Sequence, residues 1–280
     1  MLKTLEERIR RLDYRLYEVA LVSDEGVEFL RLQPGNLCQN CYSVAKAFTV
    51  TAVGMACDGG KLRPSDRVAD ILGPRMEKAV DPRWKEVTVD HVLCHRIGYG
   101  RGLLDIDADD ASAYPTRDYL AIALGAPLEY APGTHYQYTD AAFYIASRLV
   151  ARATGETVDR LLQTPMFSVM DFREAAWSRC PQGYPIGATG LYITARDMVK
   201  LGWLYVNEGR YGQTRILSRD WVCTVLNRGY EFHPMGDGWY GKGGMNGQML
   251  MFHPRRRLAA AWHAFEPGGT PDLTALMRSL

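Results

Sequence analysis

The segment that most constrains this chain is "CQNCYSVAKAFTVTAVGMACDGG", Cys38 to Gly60. It is rich in alanine and valine, apolar around its circumference, and stopped by Asp58-Gly59-Gly60. A helix that is apolar on every face has to be buried on every face, and glycines after the last apolar residue end it. The rest of the chain must therefore wrap it. A length of 280 residues allows that in one large domain or in two lobes sharing a cleft. Two polar residues, Ser43 and Lys46, break the apolar pattern at its start. Spaced i, i+3, they share one helix face, either as a solvated first turn or as a working pair.

The flanking pattern indicates how the wrapping is done. "MLKTLEERIRRLDYRLYEV" carries apolar residues at Leu2, Leu5, Ile9, Leu12 and Leu16 and reads as a packed N-terminal helix. "YEVALVSDEGVEFLRLQP" is two β-rich runs around Asp24-Glu25-Gly26, a hairpin. From Pro64 to about Ala195, helical patterns such as "DAAFYIASRLVARATG" are separated by Pro and Gly loops. "ARDMVKLGWLYVNEGRYG" is a further helix, "QMLMFHPRRRLAAAWHAF" two strands joined at His253-Pro254-Arg255, and "PDLTALMRSL" a closing helix. Strands at both ends and helices between predict an α/β lobe from about residues 1–60 and 195–280, with a helical lobe of about 61–194 inserted, the whole forming one α+β unit.

Composition excludes several functions. The chain is 47% hydrophobic and 23% charged with a formal net charge of +1, without the clustered charge that nucleic acid or an anionic membrane requires. No apolar run approaches a membrane span, and the charged N-terminal stretch does not read as a signal peptide; a cytoplasmic location is the expectation. The six cysteines read as reduced core residues. Cys38-x-x-Cys41 lacks the second close pair of a zinc site and does not open a helix as a redox motif does, so no metal or cofactor is expected. "DIDADD", Asp105 to Asp110, lacks the glycine and terminal glutamate of a calcium loop.

A serine hydroxyl needs a base to become a nucleophile, and a desolvated lysine can be that base. The positive end of the helix and the serine's own amide would favour developing negative charge. Ser-x-x-Lys alone is a common accident, but two further stretches fit the same chemistry. In "YAPGTHYQYTDAAFYIASRLVARATG", Pro132-Gly133 sets a turn and Thr139 or Asp140 caps a helix, leaving Tyr138 free to project its phenol. In "GWYGKGGMNGQML", Lys242-Gly243-Gly244 opens a strand on which glycine lets backbone approach a ligand and lysine can meet negative charge.

These pieces, in this order, resemble the serine β-lactamase, penicillin-binding protein and esterase superfamily, in its class C-like branch. Ser43-x-x-Lys46, Tyr138-Thr139-Asp140 for the usual Tyr-x-Asn, and Lys242-Gly243-Gly244 for Lys-Thr-Gly carry the resemblance. "VTVDHVLCHRIGYG", "APGTHYQYTDAAFYIASRLVARATGET" and "GATGLYITARDMVKLGWLYVNEGRYGQTRILS" extend it over roughly residues 36–265. The resemblance implies a β-lactamase/transpeptidase-like fold, an antiparallel sheet flanked by helices with an inserted helical lobe. It implies Ser43 as nucleophile, Lys46 and Tyr138 as general base and acid, Asp140 supporting Lys46, and an oxyanion site of the Ser43 amide with one near Gly247 or Gln248, beside Lys242, Gly243 and Gly244. His95 falls where the family has a structural histidine.

Three departures bear on substrate. Asp140 replaces the usual asparagine, Lys-Gly-Gly lacks the hydroxyl that helps hold a β-lactam or peptide carboxylate, and "GGMNGQ" resembles the nylon-oligomer hydrolase and esterase branch. The expectation is a serine hydrolase forming an acyl-enzyme with a small-molecule ester or amide or a short peptide. β-Lactamase or D-Ala peptidase activity stands second, and a non-catalytic ligand-binding protein third.

Overall fold

The computed structural model describes residues 1–280. Two compact units divide the chain: Met1–Ala47, Pro165–Ala176 and Leu191–Leu280 form the first, and Phe48–Thr164 with Trp177–Gly190 the second. The junctions differ from those expected near residues 60 and 195. The first falls inside the apolar helix, because the stretch leading into it is fastened to first-unit backbone. Gln39 and Asn40 pair with Ile193 and Tyr192, and the Cys41 amide donates to the Leu191 carbonyl at 2.9 Å.

The first unit is built on a six-stranded antiparallel sheet. Its strands are β1 (Leu16–Ser23), β2 (Gly26–Arg31), β3 (His233–Gly236), β4 (Trp239–Gly244), β5 (Gln248–His253) and β6 (Leu258–Ala264), in the order β2-β1-β6-β5-β4-β3. Both expected hairpins, β1–β2 and β5–β6, are present. One sheet face packs Val19, Leu21, Met251, Ala260 and Trp262 against α1 (Leu2–Arg11) and the C-terminal helix Pro271–Arg278. The other face is lined by small residues, Ala259 and Ala261 among them, and the helix Ala195–Val206 lies on it. That helix approaches closely because Gly202 has no side chain. A Cβ there would sit 2.9 Å from the Ala259 Cβ and 3.1 Å from Leu250 Cδ1.

The apolar segment forms α2 (Ala45–Asp58), entered through a single 3₁₀ turn at Tyr42–Val44. Its residues from Val44 to Val53 are almost wholly out of water, as an all-round apolar helix requires.

The second unit has α3 (Asp140–Thr154) as its axis, buried at every position from Asp140 to Val150. Shorter helices at Val68–Leu72, Val89–Leu93 and Tyr119–Gly125 pack against it. Thr139 caps its N-terminus and Gly155, at φ +81°, closes its C-terminus in the left-handed conformation. The loop through Gly187 closes onto α3 and α2, with Ser147 Oγ donating to the Pro185 carbonyl at 2.9 Å and Thr49 Oγ1 to the Gly187 carbonyl at 2.8 Å. No helix is long and apolar enough to cross a membrane.

Candidate active site

Ser43 sits in the turn that feeds α2. Tyr42, just before it, holds φ at +48°, a conformation disfavoured for a bulky residue and sustained here by the Tyr42 amide donating to Asn40 Oδ1 at 2.9 Å. The turn closes through the Val44 amide on the Cys41 carbonyl at 3.1 Å. One turn on, Lys46 is wholly buried, and its Nζ lies 3.0 Å from Ser43 Oγ, in hydrogen-bond contact. The pair read from i, i+3 spacing is therefore a physical pair, not a solvated first turn. Burial is the setting in which a lysine amine can serve as a base.

β4 runs against this turn. Gly244 makes the tightest approach: a Cβ there would lie 2.5 Å from the Cys41 carbonyl oxygen and 3.3 Å from the Ser43 amide nitrogen. Gly247, at φ +81°, ends the 3₁₀ turn Met245–Gly247, and a Cβ there would meet Ala264, Glu266 and Thr270. The Gln248 side chain is engaged within the sheet, donating to the Ala264 carbonyl at 2.6 Å and meeting His263 Nδ1 at 2.6 Å. Gln248 pairs directly with Gly244 across the β4–β5 ladder, and β5 also contacts the Tyr42–Val44 turn. Asn246, at φ +58°, makes the tight return that sets Gln248 opposite Gly244.

Lys242 lies two residues before Gly244 and so projects to the same face of β4. Its ammonium meets the carboxylate of Glu231, the two side chains being 7% and 1% exposed. Sequence reading passed over Glu231. It belongs to the loop between the helix Arg219–Arg228 and β3, at φ +63°, and no local pattern marks it. Gly243 faces the opposite side, toward Met249.

Tyr138 and Asp140 belong to the second unit. Tyr138 precedes the Thr139 cap of α3, half out of water, its ring 4.5 Å from that of His95. His95 is buried with φ +55° and secures this stretch twice: Nδ1 accepts from the Thr139 amide at 3.2 Å and its carbonyl from the Gln137 amide at 2.9 Å. Its role is that of a scaffold. Thr139 Oγ1 also accepts from the Leu103 amide at 2.9 Å. Asp140 is buried in the first turn of α3, where the helix dipole favours a carboxylate. Tyr136 is more exposed than Tyr138 and meets the His95 ring edge-on.

Of the other residues weighed from sequence, Asp197 pairs with Lys200 at 2.7 Å and accepts from the Arg173 amide at 2.9 Å, which holds the start of its helix. All six cysteines are free thiols. Burial, with the Glu174 carboxylate adding to it, pushes Cys38 up to about 11, away from the thiolate that redox or zinc chemistry uses.

The architecture defines the class. The chain superposes on the solved structure of a family VIII carboxylesterase with a TM-score of 0.76 and 17% identity, covering 99% of this chain and 95% of that one. The fold is beta-lactamase-like and mixed α+β, an antiparallel sheet flanked by helices. The beta-lactamase family model matches residues 37–276, and the chain belongs to that family, one of serine hydrolases. Penicillin-binding protein 4 of Amycolatopsis lactamdurans is 30% identical over 208 residues, 63% of this chain and 53% of the relative. The 6-aminohexanoate-dimer hydrolase of Paenarthrobacter ureafaciens is 26% identical over 205 residues, 67% of this chain and 50% of the relative. The chain thus spans about half the length of these curated relatives.

Proposed function

We propose that this protein is an acyl-enzyme-forming serine hydrolase whose substrates are small esters or amides with an uncharged group beside the scissile bond. The observation that carries the reading is the 3.0 Å contact between Ser43 Oγ and the buried Lys46 amine. As Oγ bonds to the substrate carbonyl carbon, its proton passes to Lys46 Nζ and the carbonyl electron pair moves onto oxygen. The Ser43 amide, with backbone at the Gly244 end of β4, is the proposed oxyanion support. Collapse of the tetrahedral adduct expels the alcohol or amine, which takes up a proton through Tyr138. Water then attacks the ester carbon, Oγ recovers its proton, and the carboxylic acid leaves. The roles of Tyr138 and of Asp140, as support for Lys46, follow the family pattern of Tyr-x-Asn.

The preference for an uncharged group rests on Lys242. Beside the candidate nucleophile, a bare ammonium would hold a substrate carboxylate; here Glu231 already neutralises it. The second reading, penicillin or D-Ala peptide as substrate, is favoured by the 30% identity to a penicillin-binding protein. Incubation with a fluorophosphonate and, separately, with a labelled penicillin, followed by intact mass, tests both. The proposal expects a fluorophosphonate adduct that Ser43→Ala abolishes. A penicillin adduct at comparable rate supports the second reading, and no adduct with either probe refutes both.

A further inference from the structure

The second unit holds a cavity of about 560 Å³ that the proposed chemistry does not use. Its wall is partly apolar, with Leu72, Leu120 and Ala151, and partly cationic, with Arg148 and Arg152 of α3. Arg148 is 6% exposed, yet it pairs with no carboxylate. One of its nitrogens donates to Tyr144 Oη at 2.9 Å and Gln182 Oε1 at 3.3 Å, and its guanidinium lies 3.6 Å from the centre of the Tyr184 ring. Those partners are neutral. They satisfy hydrogen bonds without cancelling the charge, and a buried charge without a counter-ion is costly.

Arg152 lies four residues on, where like charges on one helix face repel. It too forms no ion pair. The carbonyl end of α3 offsets part of its charge, but Arg148 stands a turn further from that end. Two further charged residues line the wall with their side chains largely in water, Arg75 at 3.7 Å from Asp118 and Glu77 at 3.9 Å from Lys78. The cavity thus presents two guanidinium groups outside any ion pair, Arg148 buried and Arg152 exposed, beside a partly apolar wall, in a volume typical of small-ligand sites.

We propose that this cavity is a binding site for a small carboxylate with an apolar body, its carboxylate seated on Arg148 and Arg152 and its body against Leu72 and Leu120. The planar guanidinium fork matches a carboxylate, and desolvation strengthens the contact. The site is independent of the reading of Ser43 as a nucleophile.

Titration calorimetry of the full chain with 4-tert-butylbenzoate and the matched neutral 4-tert-butylbenzamide tests it. The expected result is one benzoate per chain, bound at least about tenfold more tightly than the amide. Arg148→Met and Arg152→Gln should each weaken the benzoate by about ten- to a hundredfold, the range for a hydrogen bond to a charged group. Binding should persist in Ser43→Ala, which separates this cavity from the candidate active site. Arg152 is exposed, so its variant remains informative if Arg148→Met does not fold. Equal binding of acid and amide, no binding of either, binding untouched by the arginine substitutions, or binding lost in Ser43→Ala would each overturn the proposal.

Discussion

Replacing Glu231 by glutamine tests the reading of the substrate group most directly. The change keeps side-chain shape and removes one charge from a pair whose members are 7% and 1% exposed. Removing one partner of a buried ion pair strands the other, at a cost of about 3–5 kcal/mol. In a chain of this size each kcal/mol lowers Tm by about 2–4 °C, so a fall of about 10 °C is expected. With residue 231 neutral, the Lys242 ammonium on the Ser43-facing side of β4 should attract a substrate carboxylate more strongly. The assay compares kcat/KM for 3-carboxyphenyl acetate with that for its neutral 3-carbamoyl analogue. Native protein should prefer the neutral ester, and Glu231→Gln should shift the ratio toward the acid by about tenfold or more, as one charge-assisted hydrogen bond warrants. Lys242→Gln should shift it the other way. A folded Glu231→Gln protein with unchanged Tm and unchanged ratio would refute the argument. Failure of native protein to hydrolyse either ester would instead count against the hydrolase reading.

Lys46→Ala and Tyr138→Phe should each slow acylation by a fluorophosphonate about 10²–10⁴-fold, the usual loss on removing an acid–base partner, while far-UV circular dichroism stays native; full labelling rates would contradict their roles. Gly202→Ala forces a methyl group to within 2.9 Å of the Ala259 Cβ, and should cost about 1–3 kcal/mol in urea unfolding. An unchanged midpoint would mean the helix can move off the sheet freely. With Cys38 and Cys57 pushed by burial up to about 11 and about 12, and Cys223 exposed, Cys223 should be the first thiol modified by Ellman's reagent at pH 8; peptide mapping after limited labelling checks the order.

Features that depend on local chemistry were legible in the sequence. Asp24-Glu25-Gly26 announced a hairpin, the residues after Pro132-Gly133 announced a capped helix, and helical spacing put Ser43 and Lys46 on one face, as a solvated first turn or a working pair. Features set by distant packing were not. Glu231 reaches Lys242 only because the loop after the helix Arg219–Arg228 folds back beside β4, and nothing near residue 231 encodes that return. The close approach of Gly244 to the Ser43 turn was not legible either, since it depends on how β4 packs against a segment distant in sequence. The division after Ala47 was hidden because α2 is continuous and apolar across it. Nothing in the sequence around Arg148 shows that Gln182 and Tyr184 come to lie against it.

The order of strands in the first unit has a consequence for how the protein is born. β1 pairs with β6 over six residue positions, and four of the six strands arise from residues 233–264. While the ribosome is still delivering those residues, the β1–β2 hairpin waits with one edge bare, a hazard for association with neighbouring nascent chains. The backbone at Gly244 that lies against the Ser43 turn also arrives in that last portion, so a nascent chain still short of it carries Ser43 and Lys46 without that neighbour.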